Sequence, residues 1–474
     1  MALFTPSESP AVVVKEIDLT GGVPNVQSTT GAFVGNFRWG PVDERTLVTN
    51  EAGLIESFAT PDANNLRNID FASASQYLRY SSGLQVVRAV STSAKNARAQ
   101  KTSTKLTVAT NAADSAALQV AGTTTLFNYS TALADSIGYN LPARTGGTSI
   151  SGIARSSIST IQVKNDNAFF NVQNVLDSNK HTFIAKFPGD LGNSLQISIC
   201  PPNHANGTSP FNSWAYASSF DGAPGNNPSD VAKDGTFTEV HVAVADEDGK
   251  LTGTKGAVLE TYPYVSVASN AINADGSNNF IKDIINERSQ YIKMVNFDSD
   301  YKAGSGNTGT LKKGLAGTAL TPGTAKKFLD SQSVMTISFD SGVNSATLSP
   351  SELQTGYGLF ADKDQVEVDF LIQPNYVTTT VDSHATVVND LTAKAAARKD
   401  CIAVASPRRE DVVGVLNSGT VTTNITTTAN ALTNSSYLVM DGNYLKVYDK
   451  HNDVFIQVPA ASSTAGIMAA TDNE

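Results

Sequence analysis

The sequence predicts a mixed multidomain α+β protein, in which a discontinuous α/β framework domain carries two inserted β-rich domains and an extended N-terminal arm. Its 474 residues exceed what a single hydrophobic core usually organises, so several domains are expected. Helical and buried-strand patterns occur near both ends, whereas short polar strands dominate the chain between them. Only 16% of residues are charged, below the roughly 25% of an average domain, which suits a β-rich surface held against protein neighbours.

The domain boundaries follow the places where the sequence pattern changes. The α/β pattern of the first ninety residues returns near residue 350, so the two ends are expected to build one domain. The predicted units are an N-terminal arm at 1–22, a framework domain at 23–92 plus 326–474, a β-rich middle domain with a helix at 93–100 plus 186–325, and a Ser/Thr-rich outer β domain at 101–185.

The N-terminal arm contains a short β-branched run that has no partner nearby in the sequence. This run, AVVVKEIDL, covers residues 11–19 and lies between turn-rich TPSESP and TGG. A lone strand leaves its backbone N–H and C=O groups unsatisfied. We therefore expect the run to pair with a distant strand, with Val12 and Val14 on one side and Val13 on the other.

The first framework segment reads as strands and helices in alternation. GAFVGNF is strand-like, and NEAGLIESFA is helical with Asn50 as its N-cap and with Leu54, Ile55 and Phe58 on one face. DFASASQYLRYSS predicts a second helix that starts at Asp70, and GLQVVRAV predicts a buried strand. The segment is therefore expected to form a compact β-α-α-β unit.

The last part of the chain predicts a second α/β unit. QVEVDFLIQP reads as a strand, residues 383–399 as a helix and DCIAVASP as another strand. This order predicts a β-α-β crossover with parallel strands.

Charge and composition exclude several classes of function. The net charge of −10 argues against nucleic-acid binding, which needs basic patches that displace counterions. No stretch approaches the roughly 20 apolar residues of a membrane span, so no membrane anchoring is expected, and the N-terminus lacks the pattern of a signal peptide. Two distant cysteines, Cys200 and Cys401, form neither a disulfide framework nor a zinc site.

The motifs that resemble reactive or cofactor sites lack the context such sites need. GSGNTG (304–309) has dinucleotide-fingerprint spacing, but no strand precedes it and no helix starts inside it. DEDGK (246–250) lacks the glycine and glutamate positions of a calcium loop, and the strand-like runs VHVAVA and KLTGTKG make it a hairpin turn. Cys401 lies in an apolar strand, where a cysteine usually acts as a small hydrophobe. We therefore expect no cofactor, metal site or catalytic residue.

One charged segment follows the DCIAVASP strand. It contains Arg408, Arg409, Glu410 and Asp411. Charges packed this closely form salt bridges, either within the chain or across an interface, more often than they form a catalytic site. We therefore treat these four residues as possible interface charges.

The N-terminal ninety residues contain, in order, a Ser-Pro and a β-rich arm, a strand, a Trp-Gly-Pro turn, a helix ending near Phe-x-x-Pro, and a Tyr-rich helix leading into VVRAV. The residues that mark this order are Ser9, Pro10, Trp39, Gly40, Pro41, Phe58, Pro61, Tyr77, Tyr80 and Arg88. This order resembles that of the contractile-tail sheath proteins of large, myovirus-type bacteriophages. FPGDLGNSL (187–195), ARKDCIAVASPRREDVV (397–413) and residues 444–472 are similar to further family segments.

The resemblance implies a structural role in which no residue is catalytic. Sheath subunits stack as rings around a tail tube between baseplate and tail terminator proteins, and the rings rotate and widen to drive the tube through the host envelope. Neighbouring subunits exchange extended arms, so Val12, Val13, Val14, Glu16 and Ile17 are expected to form a donated strand. Family members continue past the equivalent of GIMAATDNE, so the tube-facing domain is expected to be absent from this chain.

Three other readings of the sequence remain open. A baseplate or tail adhesin would use the Ser/Thr-rich segment to contact a host surface. The sheath of a phage-derived injection apparatus uses the same subunit physics, although the large polar insertion favours a phage. An enzyme, such as a hydrolase that uses Cys401 or the DSD at 298–300, would need a pocket converging on those residues.

Overall fold

The computed structural model describes residues 29–63, 67–99, 161–173, 182–202, 210–225, 235–236, 238–295, 326–327, 334–375 and 380–472. The predicted arm at 1–22, most of the predicted outer β domain, the GSGNTG segment and the DSD cluster lie outside these residues.

The described residues form a mixed α/β structure with several sheets and helices, as the sequence predicts at that level. The strands are β1 (Thr30–Gly35), β2 (Arg45–Val48), β3 (Gly83–Arg88), β4 (Asn96–Ala99), β5 (Phe183–Pro188), β6 (Leu195–Cys200), β7 (Gly235–Thr236), β8 (Glu239–Asp246), β9 (Ala257–Ser266), β10 (Ile292–Met294), β11 (Lys326–Lys327), β12 (Met335–Asp340), β13 (Phe370–Ile372), β14 (Ile402–Ala405), β15 (Leu438–Met440), β16 (Tyr444–Asp449) and β17 (Val454–Pro459). The helices are α1 (Glu51–Phe58), α2 (Arg67–Leu78), α3 (Asp166–Val172), α4 (Ile281–Arg288), α5 (Pro350–Gly358), α6 (Val381–Arg398), α7 (Arg409–Val412), α8 (Ser418–Asn430) and α9 (Ala461–Asp472).

The first sheet joins strands from both ends of the chain. Its order is β15-β14-β13-β1-β3-β2, and all neighbours are parallel except β2 and β3. The two chain segments meet where β1 pairs with β13, with Gly31 opposite Phe370. The predicted β-α-β unit is confirmed, because β13 and β14 are parallel and α6 lies between them in sequence.

Alternating side chains of β1 show why this sheet is buried on both faces. Phe33 packs with residues of α1, α2 and α9, whereas Ala32 and Val34 pack with residues of α5 and α6. A strand covered on both faces reads as a continuous apolar run, which is the pattern of AFV in β1 and AVA in β14.

The first predicted helix is confirmed with its cap, whereas the second starts earlier than the sequence predicts. The Asn50 side chain accepts the Gly53 N–H at 2.8 Å, and Leu54 and Phe58 are fully buried, while Ile55 is partly buried. Helix α2 begins at Arg67 instead of Asp70. Asp70 does not cap the helix, because its carboxylate accepts backbone N–H groups from loops beyond the sheet.

The second sheet has the order β10-β5-β4-β12-β6-β8-β9, and its strand pairs are antiparallel. Strand β5 crosses the predicted boundary at 185/186, and α3 packs Phe169 against Ile184 of that strand. Strand β12 also belongs to this sheet, although it lies within the segment assigned to the framework. Strand pairing thus crosses two of the predicted boundaries, because pairing between distant segments is not visible in local sequence patterns; the domain division stays a prediction.

The DEDGK segment is a turn between β8 and β9, as predicted, but KLTGTKG is part of the turn and not a strand. Strand β9 begins only at Ala257. Asp246 organises the turn, because its carboxylate accepts the N–H groups of Lys250, Leu251 and Thr252 and the hydroxyls of Ser194 and Thr252. The Asp246 carboxylate thus accepts five hydrogen bonds, all from protein groups.

A separate antiparallel hairpin precedes the last helix. Strands β16 and β17 pair from Tyr444–Pro459 to Asp449–Val454 and form a two-stranded sheet. One face packs on α2, because Ile456 and Val458 cluster with Ile69. Helix α9 then packs along α2 through Ala461, Ala465 and Ala469, which are fully buried.

Candidate functional site

The Arg88 side chain joins the two large sheets. Arg88 ends β3, and its guanidinium is only 1% exposed. It donates hydrogen bonds to the carbonyl oxygens of Phe37 (2.8 Å), Arg38 (3.2 Å) and Gly40 (2.9 Å), which follow β1. Its Nη2 also donates to the carbonyl of Pro188, at the end of β5 in the second sheet, at 2.6 Å. Burial lowers the pKa of Arg88 to about 9, so the side chain remains charged at neutral pH.

Trp39 makes the same connection through apolar contact. Its backbone N–H donates to Phe58 at the end of α1, on the framework side. Its indole is 5% exposed and lies in the core of the second sheet, with its ring edge-to-face on Phe187 at 5.4 Å. The turn after β1 therefore inserts a large anchor into the neighbouring core.

Gly40 and Pro41 shape the turn that carries this anchor. Gly40 has φ +101°, a left-handed conformation that favours glycine, and a Cβ atom there would lie 2.6 Å from the Ser57 carbonyl oxygen. Pro41 is half-buried, and the following residue, Val42, forms a parallel bridge with Arg88. The Trp-Gly-Pro motif thus needs its glycine for two independent steric reasons.

The FPGDLGNSL segment supplies the opposite side of this junction. Gly189 has φ +145°, and a Cβ atom there would lie 2.9 Å from the Arg38 carbonyl oxygen. Arg38 and Asp190 form an ion pair at 3.6 Å. The sequence identified Trp39, Gly40, Pro41 and Arg88 only as motif positions; the structure brings all four together at one junction.

The four predicted interface charges divide into two groups. Asp411 is fully buried and accepts from Arg408 Nη2 at 2.5 Å and from the Thr428 hydroxyl at 2.6 Å. Its charge is therefore paired within the chain, which is one of the two arrangements expected from the sequence, and its role at an interface stays a prediction. Arg409 and Glu410 are exposed, and their role at an interface stays a prediction.

The β16–β17 hairpin presents an apolar outer face that the sequence interpretation missed. Phe455 is 65% exposed, Tyr448 is 49% exposed, and their ring centroids lie 5.4 Å apart. The Lys446 ammonium lies 4.8 Å from the Phe455 centroid, as in a cation–π contact. Within the described part of the chain, no third strand pairs with either edge of this hairpin. The alternation of side chains between two faces in YLKVYD and VFIQV is the sequence pattern from which this hairpin face could have been predicted.

The candidates for reactive chemistry lie in the core. Cys401 is 5% exposed, and burial raises the pKa of its thiol to about 11. Burial likewise lowers the pKa of His384 to about 4. Among the residues that the structure describes, no group of three or more His, Cys, Asp and Glu side chains could hold a metal ion. Over the same residues, every helix is too short or too polar to cross a membrane.

Three curated proteins match nearly the whole chain. The tail sheath protein of Enterobacteria phage T4 is 26% identical over 98% of this chain and 73% of its own length. The tail sheath protein of Salmonella phage ViI is 25% identical over 99% of this chain and 71% of its own length. That of Vibrio phage KVP40 is 22% identical, over 98% and 74% respectively.

This chain is a relative of phage tail sheath proteins. The resemblance stated from the sequence is thereby confirmed, and it places this sheath relative in the virion tail as a structural protein. The three named relatives are structural proteins and not enzymes. No family model matches the sequence.

Two solved sheath tail proteins were also found, from Listeria innocua and Desulfitobacterium hafniense. They are each 8% identical to this chain, which spans 58% and 62% of their lengths, with TM-scores of 0.43 and 0.39.

Proposed function

We propose that the sheath relative is the subunit of a contractile phage tail sheath, polymerised as stacked rings around the tail tube. The observation that carries this proposal is the match of 98–99% of the chain to three tail sheath proteins. The tube protein, the baseplate and the tail terminator would be its partners, and other copies of the same chain its main contacts.

The junction at Arg88 supports this role. A contracting sheath moves its subunits as rigid bodies and changes the contacts between them. The buried Arg88 guanidinium donates three hydrogen bonds to the loop after β1 and one to Pro188 of the second sheet, and with the buried Trp39 side chain it holds the two sheets together. Such a subunit would transmit force without bending between its sheets.

The hairpin supports the arm exchange predicted from sequence. An extended segment adds to an unpaired sheet edge through main-chain hydrogen bonds, and side-chain pockets set its register. The donated strand would be residues 11–19 of a neighbouring copy, with Val12, Val13, Val14, Glu16 and Ile17 in contact. The exposed Tyr448 and Phe455 would give its valines an apolar surface to cover.

Contraction would draw on free energy stored when the subunits pack at assembly. In this scheme the arms keep neighbouring subunits linked while the side-chain contacts between rings are exchanged. The tube would then pass through the host envelope.

Immunogold electron microscopy of the phage particle tests this function. Antibody against this chain should label the whole tail shaft, and the labelled length should shorten when the tail contracts. Label confined to the tail tip or fibres would instead indicate an adhesin, and label along the shaft of a particle without a capsid would indicate an injection apparatus. Particles without label would contradict all three structural roles.

A further inference from the structure

The buried carboxylate of Asp70 lies at the carboxyl ends of two adjacent parallel strands. Strand β1 connects through α2 to β3 on one side, whereas β13 connects through α6 to β14 on the other. The chain therefore leaves β1 and β13 toward opposite edges of the sheet. In open α/β sheets, ligands bind at the carboxyl ends of strands at such a switch point.

Only two donors reach Asp70 among the described residues. The backbone N–H of Asn36, just after β1, lies 2.7 Å from Oδ2, and that of Asn375, after β13, lies 2.9 Å from Oδ1. The carboxylate is 2% exposed, and no Lys, Arg or His side chain of the described segments forms an ion pair with it. A carboxylate buried in this way takes up a proton or gains a counter-charge, and burial raises the pKa of Asp70 to about 8.

Unpartnered polar atoms belong to three residues that either donate a backbone hydrogen bond to Asp70 or lie one helical turn from it. Asn36 is 2% exposed; its Nδ2 donates to Ala346, but its Oδ1 has no partner within the described chain. Both amide atoms of Asn375 (8% exposed) and the hydroxyl of Ser73 (0%), one helical turn after Asp70, are also unpartnered there. The backbone bonds to Asp70 hold both asparagines within one side-chain length of the carboxylate.

Two other buried carboxylates of the protein show what a purely structural role looks like. Asp246 accepts five hydrogen bonds from protein donors, and Asp411 is paired with Arg408 and Thr428. Neither residue contributes an unpartnered atom. Asp70 differs from both, because it accepts only two hydrogen bonds and pairs with no cation among the described residues, and because its neighbours Asn36, Asn375 and Ser73 have unpartnered oxygen atoms.

We propose that Asp70, together with the amide oxygens of Asn36 and Asn375 and the hydroxyl of Ser73, binds a hard metal cation between β1 and β13. Carboxylate, amide carbonyl and hydroxyl oxygens are the ligands that Na⁺, Mg²⁺ and Ca²⁺ prefer. The cation would supply the missing charge and would clamp together the two strands through which the chain's distant segments meet. This site has one carboxylate among neutral oxygen ligands, so it is not one of the groups of three or more His, Cys, Asp and Glu side chains considered above.

Metal binding to the purified chain tests this site, with Ca²⁺ as the probe and with Na⁺ and Mg²⁺ as comparisons at constant ionic strength. After chelator treatment, Ca²⁺ should raise the thermal unfolding midpoint, and gel-filtered protein should retain one equivalent of metal by elemental analysis. Asn375→Ala keeps the backbone N–H that holds Asp70 but removes the amide oxygen; it should weaken binding about tenfold or more. Asp70→Asn should abolish binding.

The exposed Asn434→Ala is the matched control and should bind metal as the unsubstituted protein does. Binding by none of the three cations to the unsubstituted protein would overturn the proposal, and so would equal binding by the Asn375→Ala and Asn434→Ala variants. If Asp70→Asn fails to fold, the comparison between these two asparagine variants still decides.

Discussion

Gly40 and Gly253 both have a positive φ, but they differ in what surrounds them. Gly40 has φ +101°, and a Cβ atom added there would meet the Ser57 carbonyl oxygen at 2.6 Å, whereas Gly253 has φ +80° and a Cβ atom there would meet nothing within 4 Å. We expect Gly253→Ala to cost about 1 kcal/mol from backbone strain alone and Gly40→Ala about 3 kcal/mol or more. Urea unfolding of both variants measures the difference. Equal losses would show that the turn has room for a side chain.

Arg88 is the residue on which the junction depends most. Arg88→Leu would leave four carbonyl oxygens without their donor in a buried place, so we expect a loss of about 3–5 kcal/mol in unfolding free energy. The exposed Arg409→Leu is the control and should change stability by no more than about 0.5 kcal/mol. Limited proteolysis should also cut between the sheets sooner in Arg88→Leu; an unaltered digestion pattern would contradict the role of this side chain.

His384 should make the protein acid-sensitive. Its side chain is 1% exposed, its Nε2 contacts the Ser406 carbonyl at 3.1 Å, and burial lowers its pKa from 6.5 to about 4. The unfolded chain therefore binds the proton more tightly, so stability is complete above pH 6.5 and falls as pH falls toward 4, by about 3 kcal/mol in total.

Urea unfolding at pH 7, 6, 5 and 4 tests this prediction in the unsubstituted protein and in His384→Gln. The variant should lose less stability over this range, because glutamine does not titrate. His241 acts in the same direction, since burial lowers its pKa as well, and it titrates in both proteins. Parallel stability curves for the two proteins would exclude His384 as the source.

At the scale of elements, local patterns predict what depends on local physics. The cap of α1 and the parallel pair β13–β14 follow from residues close in sequence, and both are confirmed. The predicted start of α2 is wrong, because the helix begins at Arg67, and Asp70 instead accepts backbone N–H groups from residues 36 and 375. The sequence shows the residues of the junction only as parts of separate motifs. Their contact could not be predicted, because the hydrogen bond from Arg88 to Pro188 joins residues that are 100 positions apart.

The outer face of the β16–β17 hairpin yields a prediction at this scale. Phe455→Ser removes an aromatic side chain that is 65% exposed, so the folded chain should keep its thermal midpoint. If this face receives a neighbour's arm, the variant should instead reduce sheath assembly, because apolar burial on the arm is lost. Thr427→Ser on the exposed face of α8 is a control that should assemble normally. Normal assembly of Phe455→Ser would remove this hairpin from the interface.

At the scale of the whole molecule, the pairing of β1 with β13 joins segments more than three hundred residues apart. Every strand of the first sheet therefore depends on both ends of the chain, and the second sheet is fixed to it at Arg88. A load applied to either sheet reaches the other through buried contacts. In the proposed contraction such a subunit would keep its internal contacts, and the contacts that change would lie between subunits.

The arm is the segment on which linkage between subunits would depend. In a strand added to a sheet edge, alternate residues direct their N–H groups toward the acceptor, and proline removes one such group. We therefore expect one of Val13→Pro and Val14→Pro to prevent sheath assembly and the other to be tolerated better. Electron microscopy of particles carrying each variant gene, with the thermal midpoint of the purified chain as the folding control, measures this. Full-length sheaths in both variants would show that residues 11–19 are not a donated strand.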